Sequence, residues 1–278
     1  MKIKFLGTGA AEGIPAIFCE CDICEEAKRL GGKNIRTRSQ ALIDGKILID
    51  FPPDSFYHMI EHQVNLSNIQ YLLITHEHSD HLYLGDLEMR KKPFAHFKTY
   101  EKPLTVFAHG ESYRIIKEYV EKHKLAETRR VLVQEIQPNI WFNIEDYEIM
   151  PLRANHPSAK TPVMYLIKHK DKVMLYAHDT SYFLDESFSI LTDNNIVLDL
   201  ISLDCTSALL KNYRGTHMSL DVNLALLEHL RELRIITDKT TVVVNHFSHN
   251  GLANYDTLVE VTKPYGIIVS YDGLEVAF

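Results

Sequence analysis

Short apolar runs alternate along the chain with longer segments in which apolar residues recur every three or four positions. The short runs, bounded by turn residues, predict buried strands, and the longer periodicity predicts amphipathic helices. The predicted strands are residues 2–6, 41–43, 47–49, 69–74, 104–108, 131–135, 140–144, 148–153, 163–167, 173–177, 196–203, 241–245, 266–269 and 274–277. The predicted helices are residues 24–30, 55–62, 111–124, 184–191 and 219–233. Because strands and helices alternate in both halves, we expect an α/β (α+β) fold.

Residues 1–278 are expected to form a single domain, because no linker, low-complexity segment or repeat interrupts this alternation. With 45% hydrophobic and 24% charged residues, the composition is that of a globular protein. A formal net charge of −7 argues against broad nucleic-acid binding. No apolar run has the length of a signal peptide or a membrane span, so we expect a cytoplasmic protein without membrane contact.

Four potential metal ligands lie within six residues, directly after the apolar run 71–74. They are His76, His78, Asp80 and His81. Two histidines spaced two apart on an extended backbone point to the same side. The chain then turns, and Ser79 or Asp80 is suited to cap a following helix. A structural core histidine usually occurs alone, so this cluster indicates a metal site.

Three further polar residues follow other predicted strands, namely His156, Asp179 and His246. Each could singly be an ordinary surface residue, but together with the first cluster they form two ligand groups. One expected group is His76, His78 and His156; the other is Asp80, His81 and His246, with Asp179 as the bridge. A carboxylate bridge suits hard divalent cations, and imidazole suits zinc, iron or manganese. The pattern therefore predicts two divalent ions, Mn²⁺, Zn²⁺ or iron, at one dinuclear site.

The cysteines indicate a second, separate metal site. Cys19, Cys21 and Cys24 form a C-x-C-x-x-C cluster, whereas Cys205 lies far away in the sequence. Three thiols within six residues suit a tetrahedral structural Zn²⁺ with one more ligand from elsewhere. The alternatives are a chance cluster of small buried residues or a redox pair. Cys205 is expected to pack as a small hydrophobe.

Two features leave alternatives open. Residues 82–102 mix cations with aromatic rings, and they form either a solvated loop or a wall that accepts an anionic substrate. The side chains concerned are Arg90, Lys91, Lys92, Phe94, Phe97, Lys98, Tyr100 and Lys102. His178, beside Asp179, points away from the metal site if strand alternation holds and crowds it if a bulge intervenes.

The His-x-His-x-Asp-His motif, followed by a distant His, an Asp and a final His, resembles the metallo-β-lactamase superfamily. Residues 7–15 (Gly-Thr-Gly-Ala-Ala-Glu-Gly-Ile-Pro), which lead into the cysteine cluster, are similar to the PhnP-type phosphoribosyl 1,2-cyclic phosphodiesterases. The similarity runs from residue 3 to the C-terminus. It implies an αββα sandwich, with two mixed sheets packed face to face and helices outside, and it favours a homodimer.

The resemblance also assigns two histidines. It makes His249, three residues after His246, the fourth ligand of the structural zinc, whereas the residues alone leave a choice between His249 and His217. It places His217, just before the helix predicted at 219–233, against the substrate phosphate as general acid. The alternative for His217 is a histidine at a helix terminus that is bonded to backbone.

These assignments predict a phosphodiesterase that hydrolyses a small or cyclic phosphodiester, and the resemblance implies a substrate similar to phosphoribosyl 1,2-cyclic phosphate. A hydroxide bridging two metal ions about 3.5–4 Å apart is the expected nucleophile. Asp80 would orient it, and His217 would protonate the leaving oxygen. The alternatives are a tRNA 3′-processing endonuclease, a lactonase, thioesterase or β-lactamase, and a non-catalytic cofactor-biosynthesis carrier resembling PqqB. The acidic charge and the absence of a Gly/Pro-rich tRNA-gripping insertion argue against the nuclease.

Overall fold

The computed structural model describes residues 1–97, 102–211 and 215–278. The strands are β1 Lys2–Gly7, β2 Gln40–Ile43, β3 Ile47–Ile49, β4 Tyr71–Leu73, β5 Leu104–Ala108, β6 Val131–Glu135, β7 Phe142–Ile144, β8 Tyr147–Arg153, β9 Val163–His169, β10 Lys172–Ala177, β11 Leu200–Asp204, β12 Thr241–Asn245, β13 Ile268–Val269 and β14 Glu275–Ala277. The helices are α1 Asp22–Leu30, α2 Ser55–Glu61, α3 Gly110–Lys122, α4 Asp185–Asp193, α5 Leu220–Glu232 and α6 Tyr255–Thr262. In the described part of the chain, no helix has the length and apolar character needed to cross a membrane.

The strands form two seven-stranded mixed sheets. The order is β14-β1-β2-β3-β4-β5-β6 in the first sheet and β13-β12-β11-β10-β9-β8-β7 in the second. A hairpin with Asp44 and Gly45 in its turn pairs β2 with β3, and β3 to β6 then run parallel. In the second sheet β10 to β13 run parallel, so the ends of these strands meet at one edge.

Apolar side chains fill three layers. The inner faces of both sheets pack on each other through residues such as Phe5, Tyr165 and Tyr176, which are fully buried. On the outer face of the first sheet, α3 packs through Ile116 and Val120. On the outer face of the second sheet, α4, α5 and α6 cover the strands. The αββα sandwich implied by the sequence is confirmed.

Two predicted elements differ from the structure. No α-helix follows the histidine motif, because the backbone there pairs with Phe51: Phe51 N–H donates to His81 O and Tyr83 N–H donates to Phe51 O. A 3₁₀ helix at Leu84–Arg90 comes next, so neither Ser79 nor Asp80 caps an α-helix. The strand predicted to begin at residue 196 begins at Leu200, because Ile196 and Leu198 are buried in a loop and Val197 is exposed.

Candidate dinuclear metal centre

The ends of strands from both sheets converge on one cluster of polar side chains. His76 and His78 follow β4 in the first sheet. His156, Asp179 and His246 follow β8, β10 and β12 in the second sheet. The ligand-bearing loops therefore meet where the two sheets pack together, and all of these side chains except His78 are buried.

The first group contains His76, His78, His156 and Asp179, whose ligand atoms lie within 4.8 Å of one another. His76 Nε2 is 3.0 Å from His78 Nδ1 and 3.1 Å from Asp179 Oδ2. His156 Nε2 is 3.4 Å from His78 Nδ1. Three imidazole nitrogens and a carboxylate oxygen can thus converge on one cation.

The second group contains Asp80, His81, Asp179 and His246. His81 Nε2 is 3.3 Å from Asp80 Oδ2 and 3.0 Å from Asp179 Oδ2. His246 Nε2 is 3.8 Å from Asp179 Oδ2. Asp179 belongs to both groups, so the structure brings the predicted residues together in an arrangement consistent with two cations.

Neighbouring polar groups fix which ring nitrogens face the site. His81 Nδ1 donates to Asp50 Oδ2 at 2.7 Å, and Asp50 also accepts from the backbone and hydroxyl of Thr75. His246 Nδ1 lies 2.8 Å from Thr206 Oγ1. Both contacts leave Nε2 of the histidine for a metal ion. Partners of this kind orient the ligand rings and raise their basicity.

The backbone at this edge is unusual in three places. Asp50, Asp179 and His246 have φ angles of 63°, 54° and 62°, in the left-handed region. Asp50 and His246 directly follow β3 and β12, and Asp179 lies two residues after the end of β10, so the backbone turns sharply out of the sheet at these points. Aspartate and histidine tolerate this conformation better than most residues with a side chain.

The donor set fits divalent cations. Among the described residues, four buried atoms of the cluster have no hydrogen-bond partner: His81 Nε2, His156 Nδ1, Asp179 Oδ1 and His246 Nε2. Each unpaired buried polar atom costs about 1–3 kcal/mol. A cation bound to these atoms would remove that cost, and nitrogen with carboxylate oxygen suits zinc, manganese or iron.

The charges of the cluster are strongly coupled. Burial raises the pKa of Asp179, but His246, His76 and His81 outweigh it and hold that pKa well below its usual value. Burial lowers the pKa of His81, but Asp80 and Asp50 raise it well above the usual value. A proton on His81 therefore balances the carboxylates in the metal-free protein. A cation must displace this proton, so metal binding should strengthen as the pH rises.

His217 has a buried carboxylate partner that the sequence did not reveal. Its Nδ1 is 3.1 Å from Oδ2 of Asp204, the last residue of β11, and 3.2 Å from Asp179 Oδ1. Asp204 is fully buried and also accepts from the backbone N–H groups of Thr206 and Met218. Burial lowers the pKa of His217, but Asp204 outweighs it, and the net pKa is about 9. The only available signal for Asp204 was its place at a strand end.

The metal cluster forms the floor of a cavity of about 360 Å³. Its lining residues are Ala10, Ala11, Glu12, His78, Asp80, His156, Ser158, Asp179, Thr206, Ser207, Leu210, His217, His246, Ser248 and Asn250. His217 lies among them, beside the metal ligands and Asp204. It could also serve as a ligand, because its nitrogen, Asp179, Asp204 and His246 form a further compact group.

The cationic and aromatic stretch at 82–102 does not line this cavity in its described part. Arg90, His96 and Phe97 line a different, mostly apolar cavity against α2, and Arg90 and Arg130 both stack on the Phe97 ring. The interpretation as a substrate wall is therefore wrong for the described residues of this stretch. Lys98 and Tyr100 lie outside the described residues.

His178 is buried behind the metal cluster. Its Nε2 is 2.7 Å from Ser202 Oγ, and its Nδ1 is 3.1 Å from Asn245 Nδ2. It does not line the cavity, in agreement with strand alternation. Because His178 precedes Asp179 and Asn245 precedes His246, this contact links the backbones that carry two of the ligands.

The second candidate site is the cluster Cys19, Cys21, Cys24 and His249. His249 Nδ1 lies 3.5 Å from Cys19 Sγ and 3.3 Å from Cys21 Sγ. Burial raises the pKa of Cys21, but the backbone N–H of Cys24 and the ring of His249 lower it to about 6 overall. Burial raises the pKa of Cys24 to about 12. Three thiols and one imidazole within 4.8 Å can hold a structural metal.

Cys205 and His217 both stand apart from the cysteine cluster. Cys205 is fully buried in the apolar layer between the second sheet and its helices, where burial raises its pKa above the usual range. His217 lies against Asp204, so the choice between His217 and His249 at the cysteines is resolved for His249 by position.

Comparison with known proteins places these observations in a family. A family model described as a beta-lactamase superfamily domain matches residues 46–274. One curated relative, an octanoyltransferase of Porphyromonas gingivalis (strain ATCC BAA-308 / W83), is 26% identical over 283 residues, covering 99% of this chain and 51% of the relative. The chain thus spans about half the length of that relative.

Solved structures share the fold at low sequence identity. A diphosphatase from the PhnP family has a TM-score of 0.75 at 23% identity, over 100% of this chain and 98% of the other. Zn²⁺-bound PqqB from Methylobacterium extorquens has a TM-score of 0.76 at 19% identity, over the whole of both chains. The short form of human tRNase Z has a TM-score of 0.66 at 15% identity, over 100% and 99%. The chain therefore belongs to the metallo-β-lactamase superfamily and is a metal-dependent hydrolase of that fold with a buried histidine–aspartate metal site.

Proposed function

We propose that the protein is a phosphodiesterase that hydrolyses a small phosphodiester with two divalent cations at the dinuclear centre. The observation that carries this proposal is the pairing of two ligand groups through Asp179, with His217 held beside them by Asp204. Two cations bound there would supply Lewis acidity and an activated nucleophilic water. The cavity of about 360 Å³ suits a small molecule rather than a folded polymer.

The residues around the cations have separate tasks. Asp80 lines the cavity and is held ionised, because His81 outweighs the burial that would raise its pKa. His217 Nδ1 donates to Asp204, which leaves Nε2 as the atom that gives a proton to the leaving oxygen. Asp204 holds the ring in place and raises its pKa, which is about 9 in the metal-free protein. A monoanionic diester complements a centre built from cations and one proton donor.

The test is hydrolysis of bis(p-nitrophenyl) phosphate by manganese-loaded protein, beside the p-nitrophenyl monoester. We expect diester turnover to exceed monoester turnover, and Asp80→Ala to abolish it. Metal content is measured on the same samples, so an inactive but fully metallated wild type would reject the proposal. The carrier interpretation, which the PqqB fold keeps open, would then gain support.

A second candidate is hydrolysis of an acyl ester or thioester. The curated relative that matches over nearly all of this chain is named an octanoyltransferase. Ala10, Ala11 and Leu210 give the cavity an apolar side that an acyl chain could contact. The same metal-loaded protein is therefore also assayed with an octanoyl thioester. Thioester turnover without diester turnover would replace the phosphodiesterase proposal with this one.

A further inference from the structure

We propose that Glu12 selects substrates whose non-reacting part is neutral and carries hydroxyl groups, and that it rejects a second anionic group. This inference rests on the proposed phosphodiesterase activity and names the substrate class for that site. Glu12 lies in the wall of the cavity that contains the metal ligands. A carboxylate at this place in the wall affects which charge the non-reacting part of the substrate can carry.

Polar groups without formal positive charge dominate this wall. Besides Glu12 and His217, the polar side chains of the wall that are not predicted metal ligands are Ser158, Thr206, Ser207, Ser248 and Asn250. Among the described residues, neither lysine nor arginine lines the cavity. Apart from His217, which lies beside the metal ligands, a second phosphate would therefore find no cationic partner in the described wall. Hydroxyl groups, in contrast, are ordinary partners of serine, asparagine and carboxylate oxygens.

Glu12 is held in the wall by a neighbouring loop. Ser248 Oγ donates a short hydrogen bond to Glu12 Oε1, and the same oxygen is 3.6 Å from His249 Nε2. The backbone is also fixed, because Ala10 N–H donates to Phe247 O at 2.9 Å. In the described structure Glu12 Oε2 makes no hydrogen bond, and its side chain keeps 31% of its surface exposed. This second oxygen is free to accept from a ligand.

The charge of Glu12 has opposite consequences for two kinds of substrate. A hydroxyl group can donate to Oε2, and a hydrogen bond to a charged acceptor contributes about 1.5–3 kcal/mol, or roughly ten- to hundredfold in binding. A second phosphate would meet the partly exposed carboxylate as a like charge, so the two groups would repel each other. Removing the charge of Glu12 should therefore weaken the binding of the hydroxyl-bearing substrate and strengthen the binding of the substrate with a second phosphate.

Because the two effects are opposite, the role of Glu12 can be tested with two substrates that differ by one phosphate. They are ribose 1,2-cyclic phosphate and its 5-phosphorylated form, assayed with the manganese-loaded full chain. We expect the wild type to favour the unphosphorylated substrate in kcat/KM by about tenfold or more. Glu12→Gln keeps an acceptor for Ser248 and should reduce or invert this preference, mainly through KM. Glu127→Gln, which removes an exposed charge far along the chain, serves as the matched control.

A binding measurement tests the role of Glu12 separately from the proposed phosphodiesterase activity. Calorimetric titration of ribose 1-phosphate and ribose 1,5-bisphosphate into metal-loaded protein reports the same selectivity without turnover. Equal or better binding of the bisphosphate to the wild type, or a preference unchanged in Glu12→Gln, would overturn the role of Glu12. The expected binding preference in a protein that hydrolyses no diester would leave Glu12 as the selecting residue and reject the phosphodiesterase.

Discussion

The two metal-binding clusters of this protein differ in how the fold supports them. The dinuclear cluster collects ligands from the ends of strands in both sheets, and nearly all of its side chains are buried. The cysteine cluster joins the N-terminal loop and the start of α1 to the segment after β12, and three of its four side chains are partly exposed. In the dinuclear cluster, the buried carboxylates of Asp50 and Asp204 accept hydrogen bonds from histidine rings. In the cysteine cluster, the carboxylate beside the histidine is that of Glu12, which is more distant, at 3.6 Å from His249 Nε2. A rigid edge of a sandwich can hold a reacting centre, and a loop cluster can fasten the wall of its cavity.

Replacement of Asp179, the proposed bridging carboxylate, should have the largest effect on metal binding and turnover. Asp179→Asn keeps a residue that tolerates the left-handed backbone but removes the bridging charge. We expect both active-site metals to bind at least about a hundredfold more weakly, and turnover to fall below detection. Elemental analysis after dialysis measures this, with Asp193→Asn as an exposed control. Full occupancy in the variant would show that Asp179 does not bridge.

Replacement of His217 or Asp204 should have the next largest effect, and it should lower turnover without removing the metal ions. His217→Ala should lower kcat by about 10²–10⁴, the usual contribution of a proton donor, while both metals stay bound. Asp204→Asn should lower kcat less, because the ring remains but loses the carboxylate that raises its pKa. Loss of a metal ion in His217→Ala would instead make His217 a ligand.

The cysteine cluster should affect stability more than chemistry. Cys19→Ser should reduce bound zinc by about one ion per chain and lower the Tm by at least about 4 °C, since the link between the N-terminal segment and the segment after β12 is lost. His249→Ala should behave alike. Metal analysis and thermal unfolding followed by circular dichroism provide the measurements. Unchanged zinc content in both variants would contradict a metal site at the cysteines.

The smallest effect concerns the thiols of metal-free protein. Cys21, with a pKa of about 6, is a thiolate above that pH, whereas Cys24, with a pKa of about 12, stays protonated. Alkylation by iodoacetamide, followed by peptide mass spectrometry, should therefore modify Cys21 first, with a rate that rises through about pH 6. Added Zn²⁺ should protect it. Faster labelling of Cys24 would contradict this order.

Local patterns in the sequence were sufficient for most elements and ligands. Apolar runs predicted the strands because buried strands need them on both faces, and strand-end polar residues predicted the cluster because strand ends meet at a sheet edge. Asp50 and Asp204 were not found, since a single aspartate after a strand has no distinguishing spacing. The position of residues 82–97 was also beyond a local pattern, because tertiary packing directs Arg90 and Phe97 to the far side of the first sheet.

The left-handed backbone at Asp50, Asp179 and His246 limits how this centre could be altered by selection or by design. Holding an ordinary residue in that conformation costs of the order of 1–3 kcal/mol. Replacing His246 by cysteine or glutamate to favour another metal would therefore incur a backbone penalty besides any change in coordination. Aspartate, asparagine, histidine and glycine avoid most of it. Changes of metal preference should arise more readily at His78 or His156, which are free of this constraint.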